Sequence, residues 1–365
     1  MWDLAVREED YQGIDAMLAR YRGRPPLSMR LIPAAGRSDS TALRALLEEG
    51  RTLESRQLQI AGRYAAAYLG DYILADSLAR LDLQWRERPA NRAGAQLLLA
   101  GLAAARGRWS AARSAYRTAE TMEGAGAVIV HEAFAATMPL QPVPAEDVRA
   151  IRDAVTQWNP SAGPARPGLA GALQPHLRHY LLGLLSSRLG DWVAAEGAAA
   201  AIDSLPVPSA GQAVASGLAA TVRADVAWSQ KRPADALRLV ERVSPRVPLD
   251  LIAVSRAAHL REYGLEHSRY LRAASLSAVG RHGDALTWFR FGLRGSPQEY
   301  MYHAPVHLHL GELFEKMGQA DSSAAHYRQF LELWKGADPG AAPSVDLVRQ
   351  RLAQMGARSG GGSSP

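Results

Sequence analysis

Apolar residues recur along this chain with helical rather than strand spacing. Near the start, Leu4, Tyr11, Ile14, Met17 and Leu18 fall on one broad face, predicting a single helix over 1–21 that the Gly23–Pro26 turn ends. Leu43, Leu46 and Leu47 predict a short helix over 39–50 after a Ser38/Asp39 cap. Val128–Val130 is the most strand-like run, but Ala-rich helical segments flank it. The longest apolar run, 95–105, falls short of the roughly 18–20 residues that a membrane span requires, and is read as a buried helix. The acids of Glu8–Asp10 stand where the apolar core of a secretory signal would lie.

Over 270–334 the periodicity acquires a repeating grammar. Gly280 ends one helix-length run, and Ala285 follows five residues later with Phe289 four beyond it. The next copy carries Leu310-Gly311, Phe314, Gly318, Ser323 and Tyr327. Each place has a mechanical role: a small residue in the first helix for close approach, a glycine for the tight turn, a small residue where the helices cross, and an aromatic beside it. This pattern resembles the tetratricopeptide repeat, two antiparallel helices per unit of about 34 residues. Looser copies occur upstream. Gly70-Asp71-Tyr72 precedes Ala75, and Gly107-Arg108-Trp109 precedes Ala112, Tyr116 and Ala119, the turn glycines lying 107 − 70 = 37 residues apart. Leu182-Gly183, Gly190, Trp192 and Ala195 restart the pattern further on. At Gln230-Lys231-Arg232 the turn glycine is missing, although Ala236 holds the crossing place. A further helix is expected over 249–263.

The expected fold is therefore all-α, a tetratricopeptide-like α-solenoid of seven to eight antiparallel helix pairs. Its divisions are N-terminal helices packing on the array (1–53), a first sub-array (54–158), a Pro/Gly linker (159–171), a second sub-array (172–344), a capping helix (345–356) and a disordered Gly/Ser tail (357–365). Solenoid ends need such a cap because the last unit otherwise leaves an apolar face uncovered.

Composition adds little chemistry. The 365 residues include no cysteine, which excludes disulfides and thiolate metal sites and fits a reducing, cytoplasmic setting. The net charge is +6, carried by arginines dispersed among acids, with Lys231, Lys316 and Lys335 the only lysines, so no basic patch suggests nucleic acid. Nucleotide, hydrolase, zinc-protease and kinase motifs are all missing, and Gly124-Ala125-Gly126 has neither a third glycine nor a preceding strand. His303, His307, His309 and His326 cluster, but Pro305 argues that His303 precedes its helix, and His307 and His309 point to different sides. His176 and His179 lack a third ligand nearby in sequence. The acids at Glu146-Asp147 suit the positive end of a helix dipole. Trp109 and Trp192, at equivalent places, are expected to pack between repeats. The sequence thus predicts no enzyme, no metal and no cofactor.

What the resemblance does imply is a concave face lined by the first helix of each repeat. Its positions fall on Tyr64, Tyr68, Leu97, Tyr180, Arg188, His267, Tyr270, Ser277, Leu308 and Glu312. This set departs from the Lys/Asn/Arg pattern with which some members of the family clamp a carboxylate. It is rich in tyrosine, which buries a large area at small rotamer cost. The expected partner is a protein or peptide segment in that groove. More narrowly, Tyr270–Trp334 and the stretch Lys335–Pro339 resemble the C-terminal repeat region of bacterial regulators whose other half is a serine/threonine kinase or a transcriptional-activator domain. The resemblance implies a regulatory binding module. A small-molecule sensor closing at the Pro/Gly linker is the alternative, and an enzyme of unrecognised chemistry a third.

Overall fold

The computed structural model describes residues 5, 8, 10–85, 88–160, 168–244, 266–294 and 299–360, with the backbone alone for 55, 125, 127, 294 and 357–360. Among them are nineteen helices and no strand. In chain order they are α1 (Tyr11–Ala19), α2 (Leu27–Gly36), α3 (Ser40–Gly50), α4 (Ser55–Tyr64), α5 (Tyr72–Trp85), α6 (Pro89–Ala105), α7 (Trp109–Glu123), α8 (Ala125–Ala136), α9 (Ala145–Gln157) and α10 (Gly168–Ala172). There follow α11 (Gln174–Arg188), α12 (Trp192–Ser204), α13 (Gln212–Ser229), α14 (Pro233–Val240), α15 (Glu266–Ala278), α16 (His282–Arg294), α17 (His303–Lys316), α18 (Ala320–Leu333) and α19 (Ala342–Gly360). The chain forms two compact units. The first comprises Met1–Ala105, Ser110–Ala125 and Leu293–Met301; the second comprises Arg106–Trp109, Gly126–Gly292 and Tyr302–Pro365.

One turn chemistry recurs. Between the helices of eight successive pairs, one residue adopts a left-handed conformation: Ser38, Gly70, Gly107, Leu140, Gly190, Lys231, Gly280 and Gly318, with φ from 56° to 83°. This conformation lets the last amide of the turn reach back to a carbonyl of the ending helix, as Asp191 does to Ser186 and Arg281 to Leu276, both at 2.9 Å. Lys231 shows that the turn survives without glycine: its φ is 61°, and Arg232 N–H donates to the Ala227 carbonyl at 2.9 Å. Ser38 makes the same turn between α2 and α3, so the hairpin pattern begins before Glu54. Its first helix was hidden by Pro33 and Gly36, which read as breakers. The Asp39 cap is as expected, its carboxylate accepting from Ala42 N–H at 3.0 Å.

Five residues after the turn, the crossing residues Ala75, Ala112, Ala195, Ala236, Ala285 and Ser323 are all fully buried. A larger side chain at any of them would force the two helices apart. Within both units first helices also pack on the first helix of the next hairpin: α2 on α4, α4 on α6, α11 on α13, α13 on α15 and α15 on α17. Glycines allow that approach. A Cβ on Gly183 of α11 would come within 2.7 Å of the Val222 side chain of α13. Gly311 of α17 serves instead the approach within its own hairpin, where a Cβ would come within 2.4 Å of the Tyr327 ring of α18.

Helix α19 packs on the last hairpin. Val348 of α19 is fully buried against Tyr327, Phe330 and Trp334, with Val345, Leu352 and Met355 beside it at helical spacing. Several boundaries differ from expectation. Helix α1 starts at Tyr11, where Asp10 caps Gly13 N–H at 2.9 Å, and α19 runs from Ala342 through Gly360. Trp109 is buried and donates its indole N–H to Asp147 at 2.9 Å, whereas Trp192 is 40% exposed and does not pack between repeats. Most of the Pro/Gly linker (161–167), the helix expected over 249–263 and residues 361–365 lie outside the described residues.

Candidate functional site

In the second unit the first helices bring together a cluster of aromatic, imidazole and carboxylate groups. His267 Nε2 lies 2.9 Å from Asp225 Oδ1, and its Nδ1 lies 3.3 Å from the Tyr302 hydroxyl. A carboxylate only accepts, so Nε2 carries the proton; Nδ1 of the neutral ring is then the acceptor and Tyr302 donates. A second set repeats the logic. His309 Nδ1 donates to Glu312 Oε2 at 3.0 Å, and its Nε2, 2.8 Å from the Tyr270 hydroxyl, accepts from it. These are two tyrosine–histidine–carboxylate relays side by side, with the Tyr270 and Tyr302 rings 5.7 Å apart. Arg351 of α19 extends the second, donating to Glu315 at 3.0 Å and to the Tyr327 hydroxyl at 2.9 Å, with Glu312 3.6 Å away.

The electrostatics follow burial. Desolvation drives the Tyr270 and Tyr302 phenols well above the usual range, and the surrounding carboxylates push the same way. Both therefore stay neutral donors, and no activated phenolate results. Burial alone would raise the Glu312 carboxyl, but the His309 hydrogen bond and the charges of Arg351 and Lys316 bring it below its usual value. Arg188 is pushed down to about 10 by burial, with Asp225 acting in the opposite sense. Its guanidinium donates to the carbonyls of Met138, at 2.9 Å, and Gln141.

Of the residues read as concave lining, His267, Tyr270 and Glu312 thus meet in one cluster. Tyr180 is buried and lies close enough to bear on the Tyr302 phenol. Arg188 binds the Met138–Gln141 connection, and Ser277 lies buried in the last turn of α15. Leu308 joins the Tyr327–Phe330–Trp334 core under α19. In the first unit, half-buried Tyr64 meets buried Tyr68 edge-to-face at 5.2 Å, Tyr68 lying in a π-helical turn over Ala65–Leu69. Leu97 is half-buried on α6. Asp225, Tyr302 and Arg351 were not singled out from the sequence, and His309 was weighed there only as a metal ligand. The signal for one of them was the i, i+3 spacing of His309 and Glu312, which matches that of His267 and Tyr270.

The histidine cluster differs from expectation. Helix α17 begins at His303, so Pro305 sits in its first turn, where the missing N–H costs nothing. His307 and His309 face different sides as expected: His309 turns to Tyr270, and His307 Nδ1 meets His326 Nδ1 of α18 at 2.9 Å. Desolvation, then the His303 and His326 charges, lowers His307 to about 3, and His326 is lowered by burial and by Arg290. Among the described residues no group of three or more His, Asp or Glu side chains is arranged to hold a metal ion. Among them, too, no helix is long and apolar enough to cross a membrane.

The first unit contains one docking that the sequence gave no hint of. The turn Glu299–Met301, from the far end of the chain, sits on α5 and α6. Tyr300 is fully buried, and its carbonyl accepts from the Tyr72 hydroxyl at 2.6 Å across 228 residues of sequence. The two rings meet edge-to-face at 6.5 Å. The Tyr300 hydroxyl stands over Gly101, where a Cβ would come within 2.4 Å of it. No family model matches this chain, and no curated protein matches it either.

Proposed function

We propose that this chain is a non-enzymatic, tetratricopeptide-like binding module that takes a protein or peptide segment along its first-helix face, in a cytoplasmic signalling or regulatory setting. The observation that carries the reading is the stacking of successive first helices within each unit, which lines up one side of those helices as a strip. Within that strip His309, Glu312, Asp225 and Arg351 are only part-buried and offer hydrogen-bond groups of both kinds. The resemblance of the C-terminal repeats to those of bacterial kinases and transcriptional activators supports a place as the regulatory part of a larger system. The test is affinity capture from the source organism with the wild-type chain, then with Glu312→Ala and Leu97→Ala. Both positions are half-buried, so each variant should fold. The reading expects a partner whose capture falls in at least one variant that keeps its helical circular dichroism; capture indifferent to both overturns it.

A second reading, small-molecule sensing, is favoured by the convergence of buried polar groups at the two relays. A metabolite that raises the melting temperature of the wild type, with the rise lost in Glu312→Ala, would select it over the first.

A further inference from the structure

Resting on the peptide-binding reading, we infer that the first-helix face of the first unit carries a tyrosine socket, and that the Glu299–Met301 turn is its displaceable resident occupant. The socket has three parts. Gly101 lies one helical turn beyond Leu97 on α6, so both share the face on which a partner is expected. Its missing side chain leaves room for a ring: the three nearest atoms to a Cβ built there all belong to Tyr300, at 2.4, 3.5 and 3.8 Å. Tyr72 supplies an edge-to-face ring contact and a hydroxyl that donates to the main-chain carbonyl of the residue inserting the ring. A ring slot and a backbone donor together read a tyrosine within a peptide, independent of its other side chains.

Two features make the occupant displaceable. First, what docks is short: among the described residues beyond 125, only Leu293, Arg294 and Glu299–Met301 belong to this unit. The next residue, Tyr302, is bound into the relays of the second unit, so occupancy of the socket does not hold that residue in place. Second, the fit is incomplete. The Tyr300 hydroxyl is buried without a hydrogen-bond partner, a loss relative to water that the ring's burial must offset. An incoming tyrosine peptide competes on equal chemistry, and its apparent affinity is reduced by the fraction of time the socket is filled.

The experiment uses the full chain and a fluorescein-labelled peptide with the sequence of residues 299–304, followed by anisotropy. Wild type is expected to bind it at least about tenfold more weakly than Tyr300→Ala, because removing the resident ring opens the socket. Adding Gly101→Ala to Tyr300→Ala is expected to abolish binding. Without Tyr300 the new methyl meets no other atom closer than 3.8 Å, an ordinary contact, so that double variant should fold while its slot is filled. Tyr300→Phe keeps the ring and removes the orphan hydroxyl, and should bind the probe no better than wild type. Equal affinity of wild type and Tyr300→Ala, indifference to Gly101→Ala, or opening by Tyr300→Phe overturns the socket. A probe that binds every one of these alike but is lost on Glu312→Ala also overturns it, while leaving the wider binding role standing. Circular dichroism and melting of each variant confirm that the fold is intact.

Discussion

The two units close their inner faces with the same residue in different ways. In the second unit, buried Tyr270 and Tyr302 donate into imidazoles whose opposite N–H groups are held by carboxylates. In the first, buried Tyr300 arrives from a distant segment, and its hydroxyl has no partner. Burial is nearly equal, at 6%, 2% and 0% exposure respectively, so the apolar contribution is similar. The difference lies in hydrogen bonding. Tyrosines carried on neighbouring stacked helices, or immediately before one, can have their polar ends matched position by position. A turn laid onto the face from elsewhere gains the ring's burial but leaves its hydroxyl unsatisfied. The first arrangement is framework, and the second is separable.

The largest test is truncation. Tyr302→Ala should destabilise the chain by about 3–5 kcal/mol, the usual loss for a buried aromatic, and Tyr300→Ala by clearly less. Chemical denaturation midpoints measure both, and equal losses would break the comparison. Next in size is pH. His307 is about 3 in the folded chain against about 6.5 unfolded, so the unfolded state binds more protons between those values. Its contribution is complete above pH 6.5 and is lost as pH falls toward 3. Unfolding free energy should drop by about 1–2 kcal/mol between pH 7 and 5, and His307→Gln should flatten that slope.

A sharper test changes one atom. Tyr270→Phe strips His309 Nε2 of its donor and should destabilise by about 1–2 kcal/mol, whereas Tyr300→Phe removes an unpaired hydroxyl and should stabilise by up to about 1 kcal/mol. Opposite signs in thermal melts support the distinction, and matching signs dissolve it. The smallest effect is expected at the turn that lacks glycine. Lys231→Gly relieves a left-handed lysine and should stabilise by about 0.5–1 kcal/mol, partly offset by the added freedom of the unfolded chain.

Much of this was legible beforehand because it is local. The Gly280–Ala285–Phe289 spacing and its copies depend on one hairpin's own turn and crossing, so they are written within about twenty residues of sequence. That is why Ala75, Ala112, Ala195 and Ala285 are buried where the pattern puts them. The turn at Lys231 was detectable from Ala236 even without a glycine, while Pro33 concealed α2 because a proline inside a helix reads as a break. Trp109 and Trp192 occupy equivalent places, yet only Trp109 has Asp147 opposite to receive its N–H and is buried.

The sequence by itself determined the all-helical class, the hairpin turns, the crossing residues and the terminal covering helix, since each follows from spacing along one short stretch. Only the tertiary structure decided which inward side chains meet. The partners of His267 lie on other segments, Asp225 on α13 and Tyr302 immediately before α17. Tyr300 reaches Tyr72 across 228 residues. Repeat spacing fixes the face on which a residue lies but carries no term for its neighbour on another helix, so those pairings are set by how the helices stack.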